Sequence, residues 1–266
     1  KLTDIFHIFR IDHILGFYRI YSFPWRPRRN EEFVGLSEKQ ARDITGGPLP
    51  EFFPRSDDTD KNRAANLADG DKYLRVIQDA AGDGEVVGED LGCVPDYVRP
   101  NMEDLGIAGF KVCHWEVRGH GETVPGSDYP ECAFATYATH DHESVPAMWN
   151  TLKGMLGGHD HDGAIRGLEL LSDFAGLPKG GSADCYSDYG PVVKWALFDR
   201  LLKSNADYAS LMITDIIDST ERINIPGTVG GKNWRFRLPW KLEDMPEPLQ
   251  AECSRLRELV HISERG

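Results

Sequence analysis

The 266-residue sequence predicts an α/β fold in which short parallel strands alternate with helices, as a sheet or a barrel. Three observations predict it. Five short apolar runs recur along the chain, and stretches of helical periodicity lie between them. Three of the runs end in charge, at the place where parallel α/β folds gather functional side chains.

The first run is "IFHIFRI" (5–11), followed by "GEVVGEDLG" (84–92), "IAGFKVCHW" (107–115), "CAFATYATHD" (132–141) and "ASLMITDII" (209–217). All are short, and β-branched or aromatic residues feature in each, as expected of strands buried on both faces. Between them, residues 62–81 set Leu67, Tyr73, Leu74 and Ile77 near one helical face. Residues 94–105 carry a Pro suited to a first turn and stop before Gly106, and Pro100 should kink or shorten that helix. Residues 191–204 repeat apolar positions at three and four spacing, and 249–262 reads as a closing helix. The stretch 24–60 is rich in Pro, Gly and charge and reads as a long excursion of the kind that covers active sites. A full barrel needs eight strands, and five are legible.

Lys plus Arg is 30 and Asp plus Glu is 43, a net charge of −13. Nucleic acid and anionic membranes need a basic surface and are poor partners for such a chain. No apolar run reaches the roughly 18 residues of a membrane span. The start, "KLTDIFHIFRI", has no signal-peptide layout and no Met, so the chain reads as a piece of something longer. Five widely spaced cysteines without C-x-x-C make a disulfide framework or cysteine zinc site a poor reading and a reducing cytoplasm the default.

Asp12, Glu89 and Asp141 fall at the ends of the first, second and fourth runs. A carboxylate at a buried strand end is costly without partners or a task. Each has a bland reading: Asp12 pairs with Arg10, Glu89 and Asp90 cap the next helix, and Asp141 is an N-cap. Together they suit glycoside chemistry, which uses one ionised nucleophile and one protonated acid that later serves as base. Arg10 beside Asp12 would hold the nucleophile ionised. A metal is the rival reading, since "HDH" (140–142) and "HDHD" (159–162) offer His and Asp in close order. Both are sequential rather than spaced along a helix, and the second sits in Gly-rich sequence that reads as a solvated loop. A carbohydrate-binding module is a third reading, since six Trp and nine Tyr could supply stacking platforms and Trp25 and Trp149 lie near the supposed site, but most of these aromatics are more simply core and a module would not need acidic strand ends.

"RIDHILGFYRIYSFP", "GEDLGCVPDYV", "YATHDHES" and "ERINIPGTVGGKNWRFRL" resemble, in this order, motifs of the 4-alpha-glucanotransferases of the alpha-amylase clan. The resemblance runs from residue 9 to 238. It implies Asp12 as nucleophile, Glu89 as general acid/base and Asp141 as transition-state stabiliser, with Arg10, His140 and Asn224 contacting sugar. It implies a partial (β/α)8 barrel, strands four to eight, forming the carboxy-terminal part of one catalytic barrel over 1–266 with the 24–60 excursion near its active site. It implies transfer of α-1,4-glucan segments between maltooligosaccharides by a retaining double displacement, with no metal and no cofactor, in the cytoplasm. An α-glucan hydrolase of the same clan is the alternative. Family members are longer before the nucleophile strand, so the expected partner is the missing amino-terminal half, and the chain alone is expected to be poorly stable or inactive.

Overall fold

The computed structural model describes residues 2–22, 32, 35–46, 50–228 and 230–265. Contacts divide the chain into two units, Lys1–Phe110 and Lys111–Gly266.

The first unit runs β1 (Ile8–Ile11), β2 (Ile20–Ser22), α1 (Glu38–Thr45), β3 (Glu51–Phe53), α2 (Asp60–Ala81), β4 (Glu85–Gly88), α3 (Val98–Asp104) and most of β5 (Ala108–Val112). β1 and β4 are parallel, with Ile8 opposite Glu85 and Ile11 opposite Gly88, and β4 pairs in parallel with β5 at Val87 and Ala108. α2 starts where the Thr59 hydroxyl accepts the Asn62 N–H at 3.2 Å and ends at Gly82. Its Leu74 packs with Ile14, Tyr18, Val86, Val98, Met102 and Ile107 to form this unit's core. Gly88 is required here, since an added Cβ would come within 2.8 Å of Met102 Cε and nearer still to Ile14 Cδ1. The close approach seats the turn after β1 against the end of β4.

The second unit takes the end of β5 and then β6 (Ala133–Thr136), α4 (Val145–Met155), α5 (His161–Ala175), α6 (Pro191–Leu202), β7 (Tyr208–Ser210), α7 (Ile213–Ile216) and α8 (Gln250–Ile262). Just past β5, the Cys113 N–H donates to Thr136 O at 3.0 Å, and β6 runs parallel to β7 with Phe134 opposite Tyr208. The core gathers Trp149, Tyr137, Leu168, Leu171, Leu197 and Leu201. Two of its ring polar atoms are satisfied internally, with Tyr137 Oη donating to Leu197 O at 2.7 Å and Trp149 Nε1 to Ser187 O at 3.0 Å.

All five expected strands form, but three details differ. β1 is not buried on both faces: Ile8 is 48 % exposed, because among the described residues the strand pairs only with β4. The fifth run ends at Ser210 and turns into α7. The 94–105 helix is shortened to Val98–Asp104, with Pro100 in its first turn, where the missing N–H removes no helical bond. The excursion 24–60 holds α1 and β3, with β3 antiparallel to β2, while residues 23–31, 33–34 and 47–49 lie outside the described residues. "HDHD" is not a loop throughout: His161 and Asp162 open α5.

Candidate functional site

The register of β1 on β4 decides where the first two acidic residues stand. Ile11 lies opposite Gly88, so Asp12 and Glu89 are the next residues on neighbouring parallel strands. The Glu89 N–H donates to Ile11 O at 2.9 Å, and the Ile14 N–H donates to Glu89 O at 3.0 Å. Between them the His13 N–H reaches the Glu89 carboxylate, Oε2, at 2.7 Å. His13 adopts a left-handed conformation, φ 45 and ψ 56, that few non-glycine residues take. Strain of this kind gathers at functional sites, and here the strained residue links the two acidic positions. Arg10 Nη2 sits 2.8 Å from Asp12 Oδ1, and its guanidinium also lies over the Phe110 ring, 5.6 Å from the centroid.

Asp12 does not stand at a buried strand end: its side chain is 77 % exposed. The carboxylate of this segment that is buried is the neighbour of Glu89. Asp90 is 1 % exposed, accepts the Phe110 N–H at 2.6 Å, and takes Arg99 Nε at 2.7 Å. It fixes the loop on which Glu89 stands. The "GED" motif contained this signal, but sequence alone does not tell which acid faces inward.

In the second unit Asp141 is the centre of a second group. Asn224 Nδ2 donates to Asp141 Oδ1 at 2.6 Å, and His140 Nε2 lies 3.5 Å from the same oxygen. Arg222 Nη2 donates to Asp141 O at 2.6 Å, and the Asn224 N–H donates to His140 O at 3.1 Å. Thr139 Oγ1 receives the Asp141 N–H at 3.3 Å, so Asp141 is no helix N-cap; Ser144 caps α4 instead. The Trp234 ring leans on His140, centroids 5.0 Å apart at 42°, and is 61 % exposed. Beside it opens a cavity of about 280 Å³ lined by residues that include Asn224, Thr228, Asn233, Trp234 and Arg235. Arg222 and Trp234 were not singled out from sequence, although both lie in "ERINIPGTVGGKNW".

Trp149 is core, 1 % exposed, and not a sugar platform; Trp25 lies outside the described residues. Among the described residues, no three or more His, Cys, Asp or Glu side chains are grouped to hold a metal ion. His161 Nδ1 instead faces Leu156 O at 2.6 Å. No described helix is long and apolar enough to cross a membrane.

Comparison with known proteins gives a consistent set of likenesses. A 4-alpha-glucanotransferase family match runs over residues 1–243. A 4-alpha-glucanotransferase of Thermus thermophilus is 25% identical across 100% of this chain and 44% of its own length. One from Chlamydia trachomatis is 26% identical over 60% of this chain and 29% of its own. Among solved structures, amylomaltase from Corynebacterium glutamicum superposes with TM-score 0.62 at 18% identity, covering 98% of this chain and 36% of that one. Amylomaltase from Streptococcus agalactiae in complex with acarbose gives 0.59 at 19%, covering 97% and 41%. The fold is thus that of part of an amylomaltase, a partial barrel of parallel strands and helices. The chain spans less than half the length of these relatives.

Proposed function

The chain belongs to the 4-alpha-glucanotransferase family, and from that premise we propose that it carries the catalytic carboxylates of an enzyme moving α-1,4-glucan segments between chains. The observation that carries this reading is the junction of β1 and β4. Asp12 and Glu89 follow paired residues of adjacent parallel strands, and the His13 amide ties the two together.

Asp12 acts as nucleophile. Its carboxylate attacks the anomeric carbon, the bond from that carbon to the leaving O4 breaks, and Glu89 gives its proton to that O4. The acceptor O4–H then returns a proton to the Glu89 carboxylate, attacks the same carbon and releases Asp12. Two inversions give retention. Asp141 lends negative charge to the oxocarbenium-like transition state. Arg10, His140 and Asn224 hold the sugar whose bond is exchanged, and Trp234 offers an apolar face beside His140. Transfer rather than hydrolysis requires water to be kept from the second step, a task we assign to the 24–60 excursion.

Ile8 on β1, with Ile5 and Phe6 just before it, is exposed, which suits a further strand of the kind a longer relative could supply. The test is incubation of the chain with maltotriose, alone and with a separately expressed amino-terminal half of a relative. Glu89→Gln should abolish formation of longer and shorter oligosaccharides and leave glucan binding within a few-fold. Glucose release without chain lengthening would favour the hydrolase reading. Undiminished transfer by Glu89→Gln would overturn the assignment.

A further inference from the structure

Two loops of the second unit meet at Asp141. One, residues 137–144, joins β6 to α4 and carries His140 and Asp141; the other follows β7 and carries Arg222 and Asn224. A buried carboxylate outside the proposed chemistry links their bases. Asp215, in α7, is 1 % exposed. One oxygen accepts the Met212 N–H at 3.2 Å, a local cap of its own short helix. The other accepts the N–H of Val145, seventy positions away in sequence, at 2.8 Å. Val145 opens α4, so Asp215 satisfies one of the amides that a helix start leaves without an internal partner.

Two further contacts reinforce the clasp. Ser144 Oγ donates to Ser219 O at 2.6 Å, again from one loop to the other. Lys194, buried in α6, donates to Ile216 O at 2.7 Å and to Asp218 Oδ2 at 3.0 Å, which fixes the far end of α7. A cap for α7 alone would need only the Met212 bond. The Val145 bond has a different effect: it sets the register of one loop against the other. Val145 lies four residues beyond Asp141, and Asn224 nine beyond Asp215. Asn224 can reach Asp141 at 2.6 Å only while that register holds.

We infer that Asp215 is a positioning residue whose carboxylate locks the two loops together, so that Asn224 and Arg222 meet Asp141. The catalytic meaning of this rests on the function proposed above; the mechanical coupling does not.

Amide hydrogen exchange read by mass spectrometry on the full chain tests it. Asp215→Asn keeps the volume but turns an N–H toward one of the two amides. Exchange should rise about tenfold or more in peptides covering 139–142 and 221–225. Peptides covering α5 should be unchanged. Asp173→Asn serves as control, since Asp173 accepts the Thr123 N–H at 3.1 Å and belongs to neither loop. It should leave both loop peptides untouched. If exchange rises only at 212–216 and at Val145, Asp215 is merely a helix cap and the inference falls. Should Asp215→Asn not fold, Ser144→Ala removes the parallel loop-to-loop bond and must loosen the same two peptides. Where transfer activity is measurable, Asp215→Asn should lower kcat with KM within about twofold, and Asp215→Glu should recover part of the loss. Loosened loops in a chain that shows no transferase activity even with the amino-terminal half of a relative supplied would leave the positioning intact and sink the functional reading instead.

Discussion

Gly70→Ala offers a test of the packing that supports Asp12, because two effects of opposite sign compete at one atom. Gly70 lies inside α2, where alanine is favoured by about 1 kcal/mol over glycine. An exposed position would therefore gain stability. Gly70 is instead buried against Tyr18, just past the turn that carries His13 and Ile14. A Cβ at residue 70 would sit 2.6 Å from Tyr18 Cγ and closer still to Cδ1 and Cε1. The ring cannot swing freely, for its hydroxyl donates to Asn101 Oδ1 at 2.8 Å and the ring is fully buried. Overpacking a tight core costs about 1–3 kcal/mol, and losing the buried hydrogen bond adds about 1 kcal/mol. Set against the propensity gain, the substitution should destabilise the first unit by about 2 kcal/mol. Urea unfolding followed by far-UV circular dichroism reads this as a lower midpoint. In a Tyr18→Ala background the obstruction is gone, and Gly70→Ala should then stabilise by about 1 kcal/mol. A raised or unchanged midpoint for Gly70→Ala alone would refute the reasoning.

Other outcomes follow from buried charge. Asp90→Asn should lower stability by about 3 kcal/mol in a thermal melt, because it removes the charge paired with Arg99 and turns an N–H toward either the Arg99 guanidinium or the Phe110 amide inside the protein; a change below 1 kcal/mol would show that Asp90 does not hold the Glu89 loop. Burial holds His114 down at about 4, with His142 adding to the effect. The unfolded chain takes up this proton near 6.5 and the folded chain only near 4, so stability falls as pH drops through that window, by at most about 3 kcal/mol. Burial pushes the Asp215 carboxyl up to about 6, with Asp218 adding to this while the Val145 and Met212 amides and Lys194 oppose it. The folded chain then keeps a proton that the unfolded chain loses near 3.8, so this group's contribution falls as pH rises from 3.8 to about 6. The two slopes oppose one another between pH 4 and 6. Asp215→Asn should expose the His114 slope and His114→Gln the Asp215 slope, both read from urea midpoints against pH; parallel curves for wild type and both variants would contradict these burials.

The sequence by itself determined the five parallel strands, since strands in such a sheet need short apolar runs, and it set Asp12 and Glu89 directly after β1 and β4, whereas Asp141 stands five residues beyond the end of β6, in the loop to α4. It also placed His140 and Asn224 through motif resemblance, and both contact Asp141 or its neighbour. It did not separate Asp90 from Glu89. Two adjacent acids look alike in a string, and only the Phe110 amide and Arg99 make one of them an internal anchor. It left Trp149 open between core and platform, because an indole near a site and an indole in a core share the same letter, and only its packing with Leu168, Leu171, Leu197 and Leu201 puts it in the core. Helices α4 and α5 went unread because their apolar stripes follow Gly- and His-rich stretches that resemble loops. The antiparallel pair β2–β3 needed a partner about thirty residues away, and the clasp from Asp215 to Val145 one seventy away. Local periodicity carries no information about such pairings; they exist only once the chain has closed on itself.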